Sequence, residues 1–347
     1  MVRAAASIYL EDYARQIRPH LPRTESSRWL LAAAAILARV PQRPSRQIIA
    51  PVNSRIAKPD LARRLRDGGS RKARTAGALA HLLLAGCASA PLDRAGTLQS
   101  YDNLTTSNGL VTQSRLRVDE PVIRAAKTVQ IVPTAFGAGT TGVPLTVEQR
   151  RLVANAVDRA LCAGLSERFQ VVGPTQPADL TVRAVVTHVT PTDPVAVGAS
   201  RGAAIAKTIL LPGIPVPVPR IPIGMGSLSL EAEARDLAGH QRAAMIWARG
   251  AGVLGGSGRM SVEGDAYGLA SDFGSDFSKL LVTGSTPFGK LPSFPSAHGI
   301  RTSFGGAPSS PACEAFGRSP GVAGFMGGAL GLPPGWTDKG APAAPAP

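Results

Sequence analysis

Cysteine, histidine and aromatic side chains are scarce: 3 Cys, 5 His, 3 Trp, 4 Tyr and 9 Phe in 347 residues. Only His188, His240 and His298 follow residue 87. They share no metal-ligand spacing, and neither C-x-x-C nor H-E-x-x-H occurs. The sequence therefore predicts no metal centre and no cofactor. No apolar run approaches the ~20 residues needed to cross a bilayer. Acid is also in short supply, 23 Asp+Glu against 38 Lys+Arg, and the net charge of +15 invites a nucleic-acid reading. The distribution of that charge argues otherwise. Residues 1–86 hold 16 of the basic residues and only 5 of the acidic ones, which leaves 22 and 18 for the remainder. After residue 87 no basic cluster interleaves with aromatics, so no nucleic-acid partner is expected.

What is present is a stretch at Thr75–Cys87, T-A-G-A-L-A-H-L-L-L-A-G-C, with Arg71, Lys72 and Arg74 before it. A cationic flank, a short apolar run and small residues form the layout of a secretory signal. The twelve residues between Arg74 and Cys87 would rise ~18 Å as a helix, against a hydrocarbon core of ~30 Å. The ending Leu84-Ala85-Gly86-Cys87 resembles the lipobox of bacterial lipoproteins. That resemblance implies cleavage before Cys87, acylation of its thiol, and stable attachment through more than one acyl chain. The competing reading is an amphipathic helix with a buried cysteine. Ala88 stands where inner-membrane-retained lipoproteins carry Asp, which implies the periplasmic face of the outer membrane. Residues 1–86 are longer than the usual signal, so translation is expected to start later, at a codon read here as Val or Leu, such as Leu61 or Leu65. The Arg63-Arg64 pair lacks the surroundings of a twin-arginine signal. Residues 1–86 are thus read as a disordered leader ending in a signal peptide.

From Cys87 the chain divides by pattern. Residues 87–125 are Ser-, Thr- and Gly-rich and read as a tether. Residues 126–285 read as the folded domain. Lys127–Phe136 alternates like a strand. Thr146-Val-Glu-Gln149 is a capping box, and it opens a helix with Val153, Val157 and Leu161 on one face. Phe169–Val172 and Asp179–Thr190 are two more strands. Gly202–Leu211 is apolar enough for a helix. Pro212–Pro222 carries prolines too densely for a central strand and reads as an exposed, extended strip. Ser227–Arg235 and His240–Gly250 form a hairpin across Asp236–Gly239. Asp265–Val282 is a second helix. The expected fold is α+β, a mostly antiparallel sheet under two helices in the order β-α-β-β-β-β-α. Residues 286–347, rich in Gly and Pro, read as a loose tail.

Two motif matches point to catalysis or cofactor binding, and neither has its setting. Gly137-x-Gly139-x-x-Gly142 follows a strand, but Pro144 separates it from the helix and no acidic residue ends the next strand. Gly198-x-Ser200-x-Gly202 matches a nucleophile elbow, yet Thr192-Asp193-Pro194 breaks the strand the elbow requires. Glu231 and Glu233 share one strand face, and regular alternation predicts a solvated face rather than an acid/base pair.

The strand T-V-Q-I-V-P-T, the helix N-A-V-D-R-A-L-C, and the runs A-D-L-T-V, L-L-P-G-I-P-V-P-V-P and G-S-L-S-L-E-A-E-A-R-D resemble an alphaproteobacterial branch of domain of unknown function 3313. The likeness spans roughly residues 75–340 and implies no reaction. The element order is also similar to small α+β domains of envelope lipoproteins such as the N-terminal domain of TolB. With Cys87 acylated, Cys162 and Cys313 remain. In an oxidising compartment they form a disulfide candidate; the alternative is two unrelated thiols. The functional expectation is a non-catalytic envelope lipoprotein, bound to the membrane through Cys87 and to an envelope protein through Pro212–Pro222. The alternative is an anchored serine hydrolase or ligand-binding enzyme built on Ser200.

Overall fold

A computed structural model describes residues 90–210, 220, 224–252, 258–289 and 297–341. The leader, Cys87 and all of Pro212–Pro222 except Arg220 fall outside these residues. The described chain is α+β. Its seven strands are β1 (Thr105–Thr106), β2 (Thr112–Val118), β3 (Thr128–Phe136), β4 (Gln170–Val172), β5 (Leu180–Thr190), β6 (Ser227–Asp236) and β7 (Gln241–Gly250). They form one sheet in the order β1-β2-β7-β6-β5-β3-β4. Pairing is antiparallel except that β3 runs parallel to both β4 and β5. The helices are α1 (Glu120–Ala125), α2 (Val147–Leu165), α3 (Pro194–Leu210), α4 (Gly264–Thr283), α5 (Ala297–Ser303), α6 (Gly321–Leu330) and α7 (Pro334–Thr337).

From β3 to α4 the order follows the sequence pattern, with α3 added between β5 and β6 and starting at Pro194 rather than Gly202. Helix α2 starts at Thr146, whose side chain accepts from Gln149 N while Gln149 caps Thr146 N in return. Its buried stripe, including Val153, Val157 and Leu161, lies on the sheet beside α4, which contributes Phe273 and Phe277. The two helices approach closely at Gly274, where an added Cβ would meet the Ala160 Cβ at 2.5 Å. Pro133 sits within β3 at a bulge, where the register shifts between Val132 and Ala135. A bulge is where a strand tolerates a residue that cannot donate. The Thr134 N–H nearby is taken up by Asp158 of α2, at 3.0 Å.

Two expectations are corrected. The tether read over residues 87–125 contains β1, β2 and α1, and β2 pairs with β7 from Thr112↔Arg249 to Val118↔Ala243. Its Thr-Gln-Ser-Arg-Leu-Arg-Val sequence alternates, with Thr112, Ser114 and Leu116 buried, but polar composition obscures the period. Residues 297–341, read as loose, lie against α2 and α4. Arg159 of α2 pairs with Asp338, Tyr267 of α4 donates to Asp338 at 2.6 Å, and Cys162 is bonded to Cys313 with Cα atoms 5.8 Å apart. Glycine and proline are abundant there, yet few tight contacts suffice to fix the tail.

Candidate functional site

The face of the sheet turned away from α2 and α4 carries the most unusual chemistry. On β6, Leu228, Leu230, Ala232 and Ala234 join the main core, so Ser229, Glu231 and Glu233 point the other way. That face is not solvated. Glu231 and Glu233 are each 1% exposed. Residues 90–104 lie over them as a strap. Leu98 of the strap packs on Ala244 and Ile246 of β7, with Leu92, Tyr101 and Leu104 around it.

Because a buried carboxylate must have its acceptor capacity filled, the strap supplies the donors. Glu231 accepts from Ala95 N at 2.8 Å, Thr97 N at 3.1 Å, the Thr97 hydroxyl and the Tyr101 hydroxyl at 2.7 Å. Glu233 accepts from Gln99 N at 2.8 Å and Gln241 Nε2 at 2.8 Å, and pairs with Arg235. Ser229 donates to Pro91 O at 2.7 Å. The strap thus runs along β6 from Ser229 to Glu233. Burial, followed by the hydrogen bond to Glu231, raises the Tyr101 phenol above its ordinary range. Chemically the arrangement is a clamp: two fixed carboxylates read the backbone N–H groups of an extended segment.

The solvated reading of Glu231 and Glu233 is therefore corrected. Regular alternation is common to a solvated face and to one that another segment covers. The signal that could have separated them is the hydrophobic set Leu92, Leu98, Tyr101 and Leu104 inside an otherwise polar stretch.

The other sequence candidates are not brought together. Ser200 lies within α3 rather than at a strand-to-helix turn, and its hydroxyl donates to Ala196 O at 2.9 Å. His298 is the second residue of α5. The loop at Gly137–Gly142 encloses a cation rather than a phosphate cradle: Arg150 donates to Thr140 O at 2.8 Å and Val143 O at 3.1 Å. Among the described residues no group of His, Cys, Asp and Glu could hold a metal ion, and no helix is long and apolar enough to cross a membrane. Arg220, within the proline-rich strip, makes a bidentate pair with Asp265 at 2.7 and 2.8 Å, and Asp265 also accepts from Gly226 N. A cavity of about 470 Å³ opens between α2, α4 and the tail, with Ala160, Ser275, Ser278 and Lys279 in its walls. Its hydroxyl-rich lining converges on no reacting pair.

The family described as protein of unknown function, DUF3313, matches residues 93–277. This chain belongs to the DUF3313 family. The matched region runs from within the strap to α4, so it includes both halves of the carboxylate clamp and excludes Cys313 and the tail. No curated protein is similar to this DUF3313 chain at a significant level. Among solved structures, the PelC dodecamer from Paraburkholderia phytofirmans is 12% identical, covers 49% of this chain and 97% of its own, and superposes with a TM-score of 0.31. A variant of that dodecamer is 11% identical, covers 50% and 99%, and has a TM-score of 0.29. Likeness at this level bears on neither mechanism nor assembly.

Proposed function

We infer that this DUF3313 protein is a lipid-anchored, non-catalytic component of the bacterial envelope, held by acylated Cys87 on the periplasmic face of the outer membrane. The observation that carries the reading is the position of the strap. Ala90, its first described residue, is buried and stands three positions after the lipobox cysteine. Three residues span at most ~10 Å. An anchor at Cys87 would therefore pull directly on a segment clamped to the sheet. Two buried carboxylates that tie the strap's backbone to β6 support a mechanical role for the clamp. The alternative, an anchored serine hydrolase or ligand-binding enzyme, would need Ser200 activated, and Ser200 is inside a helix with its hydroxyl on the preceding turn.

The partner reading rests on the proline density of Pro212–Pro222: proline restricts a chain before it docks, so little entropy would be lost on binding. In-cell crosslinking with mass spectrometry tests it. Deletion of residues 212–219 is the variant to use, because removing Arg220 would leave Asp265 buried and unpaired. A crosslinked envelope protein lost on that deletion supports the reading. Labelling of the native protein by a fluorophosphonate, abolished by Ser200→Ala, would favour the hydrolase instead.

A further inference from the structure

Helix α6 is amphipathic in the opposite sense to a surface helix. Its buried face is glycine: Gly321, Gly324, Gly327 and Gly328. Its outer face presents Val322, Phe325, Met326 and Leu330, and Trp336 of α7 stands beside it; Phe325 and Trp336 are each 67% exposed. The helix contains no charged residue. An uncharged apolar helix face this open to water marks a contact surface.

The strand register places this face. Ser227 of β6 pairs with Gly250 of β7, Thr112 of β2 with Arg249, and Thr190 of β5 with Ser227. The start of β6, the ends of β5 and β7 and the start of β2 therefore share one end of the sheet. Helix α4 begins there too: Asp265 receives Gly226 N and the Thr192 hydroxyl receives Asp265 N. The segment just before α4 carries α6. Met260 N donates to Gly331 O at 2.7 Å, Arg259 to Gly324 O at 3.2 Å, and Arg201 of α3 to Ala329 O at 2.8 Å. Leu110, Val147 and Val195, all strongly exposed, precede or open β2, α2 and α3 at the same end. The strap enters here as well, since Pro91 is bonded to Ser229 near the start of β6. The strap thus begins at the end that carries α6 and α7 with Leu110, Val147 and Val195, while Leu237 is exposed at the opposite end, in the β6–β7 turn.

We propose that this end is a membrane-docking platform: α6 and α7 lie in the interfacial region of the bilayer that carries the acyl anchor, with Phe325, Met326, Leu330 and Trp336 inserted. The proposal rests on the anchor reading, because the short link from Cys87 to Ala90 is what brings this end to the lipid. Tryptophan suits the position, with an apolar ring and a polar N–H at the water boundary. The contact is apolar, so it should not weaken with added salt.

The test uses the acylated protein in phosphatidylethanolamine–phosphatidylglycerol vesicles containing brominated lipid, with tryptophan emission as the readout. After Cys87 the chain has only Trp247, which is buried, and Trp336. Brominated lipid should quench the emission, equally at low and high salt. Trp336→Phe should abolish the quenching. Phe325→Ser should lower the partitioning of the soluble Cys87→Ser protein into vesicles about tenfold, the loss expected for one exposed aromatic ring left in water. Both substitutions are at exposed positions, so unchanged thermal unfolding of each variant excludes misfolding. Attachment to vesicles without quenching overturns the platform alone, and a blue-shifted, unquenched Trp336 would mean a second protein copy covers the face. Failure of the wild type to stay on vesicles at all overturns the anchor, and the platform with it.

Discussion

At the scale of single residues, the account depends on buried carboxylates whose partners are backbone N–H groups and side-chain donors. Glu231 fills its acceptor sites with four donors from the strap. Glu231→Ala would leave buried N–H groups without partners, at a cost of about 2–4 kcal/mol. We expect the strap to lose hydrogen-exchange protection at residues 95–101 while β3 and β5 keep theirs. Equal protection in the variant and the wild type would contradict the clamp. Asp158 is a second case. Burial, opposed in part by the Thr134 hydrogen bonds and by Arg159, raises its carboxyl from 3.8 to about 6. An acid with a raised folded-state pKa binds its proton more tightly when folded, so its stability cost appears as pH rises. The cost is absent below about pH 4 and complete above about pH 6, and amounts to roughly 3 kcal/mol. Asp158→Asn keeps an oxygen for both Thr134 donors and should flatten stability across that window. Denaturant unfolding at several pH values between 4 and 7 measures the slope, and an unchanged slope in the variant would exclude Asp158 as its source.

At the scale of elements, the sequence made α2, α4 and the central strands visible because their periods are long and clean. Thr146–Gln149 marked the start of α2 through side chains that act locally. The strap and β2 were hidden for the opposite reason. Their burial depends on Glu231, Glu233 and Ala244, which lie more than 100 positions away, and no local pattern encodes that. Arg159–Asp338 and Tyr267–Asp338 are hidden in the same way. The α2–α4 packing makes a paired prediction. Gly268 and Gly274 lie in the same helix, but a Cβ at Gly268 meets nothing within 4 Å, whereas one at Gly274 lies 2.5 Å from Ala160 Cβ and 2.9 Å from Val157 O. Gly268→Ala should stabilise by up to ~1 kcal/mol through helix propensity. Gly274→Ala should destabilise by about 1–2 kcal/mol, since backbone must shift to admit the methyl. Thermal unfolding of the two variants decides, and shifts of the same sign would contradict the close approach. The Cys162–Cys313 bond spans 151 positions and in the chain-entropy model stabilises by up to about 4–5 kcal/mol. Reduction should lower the unfolding midpoint and release the tail to protease before the sheet. Simultaneous cleavage of both would count against a tail pinned by that bond.

At the scale of the whole molecule, strap, sheet and tail form one continuous unit from Ala90 to α7. The N-terminal segment closes one face of the sheet, the disulfide-linked tail crosses the helices on the other, and the exposed side chains of α6 and α7 lie at the end where the strap begins. Composition alone suggested a domain on a flexible leash. Burial of Ala90, Leu98, Glu231 and Glu233 replaces that picture with a domain whose fold starts almost at Cys87. The claim on which the rest depends is that Cys87 carries the lipid. Metabolic labelling with palmitate, followed by separation of inner and outer membranes, tests it most directly. The account predicts label in the wild-type protein, in the outer-membrane fraction, and none in Cys87→Ser. Label that persists in Cys87→Ser, or a wild-type protein recovered unlabelled, would contradict it.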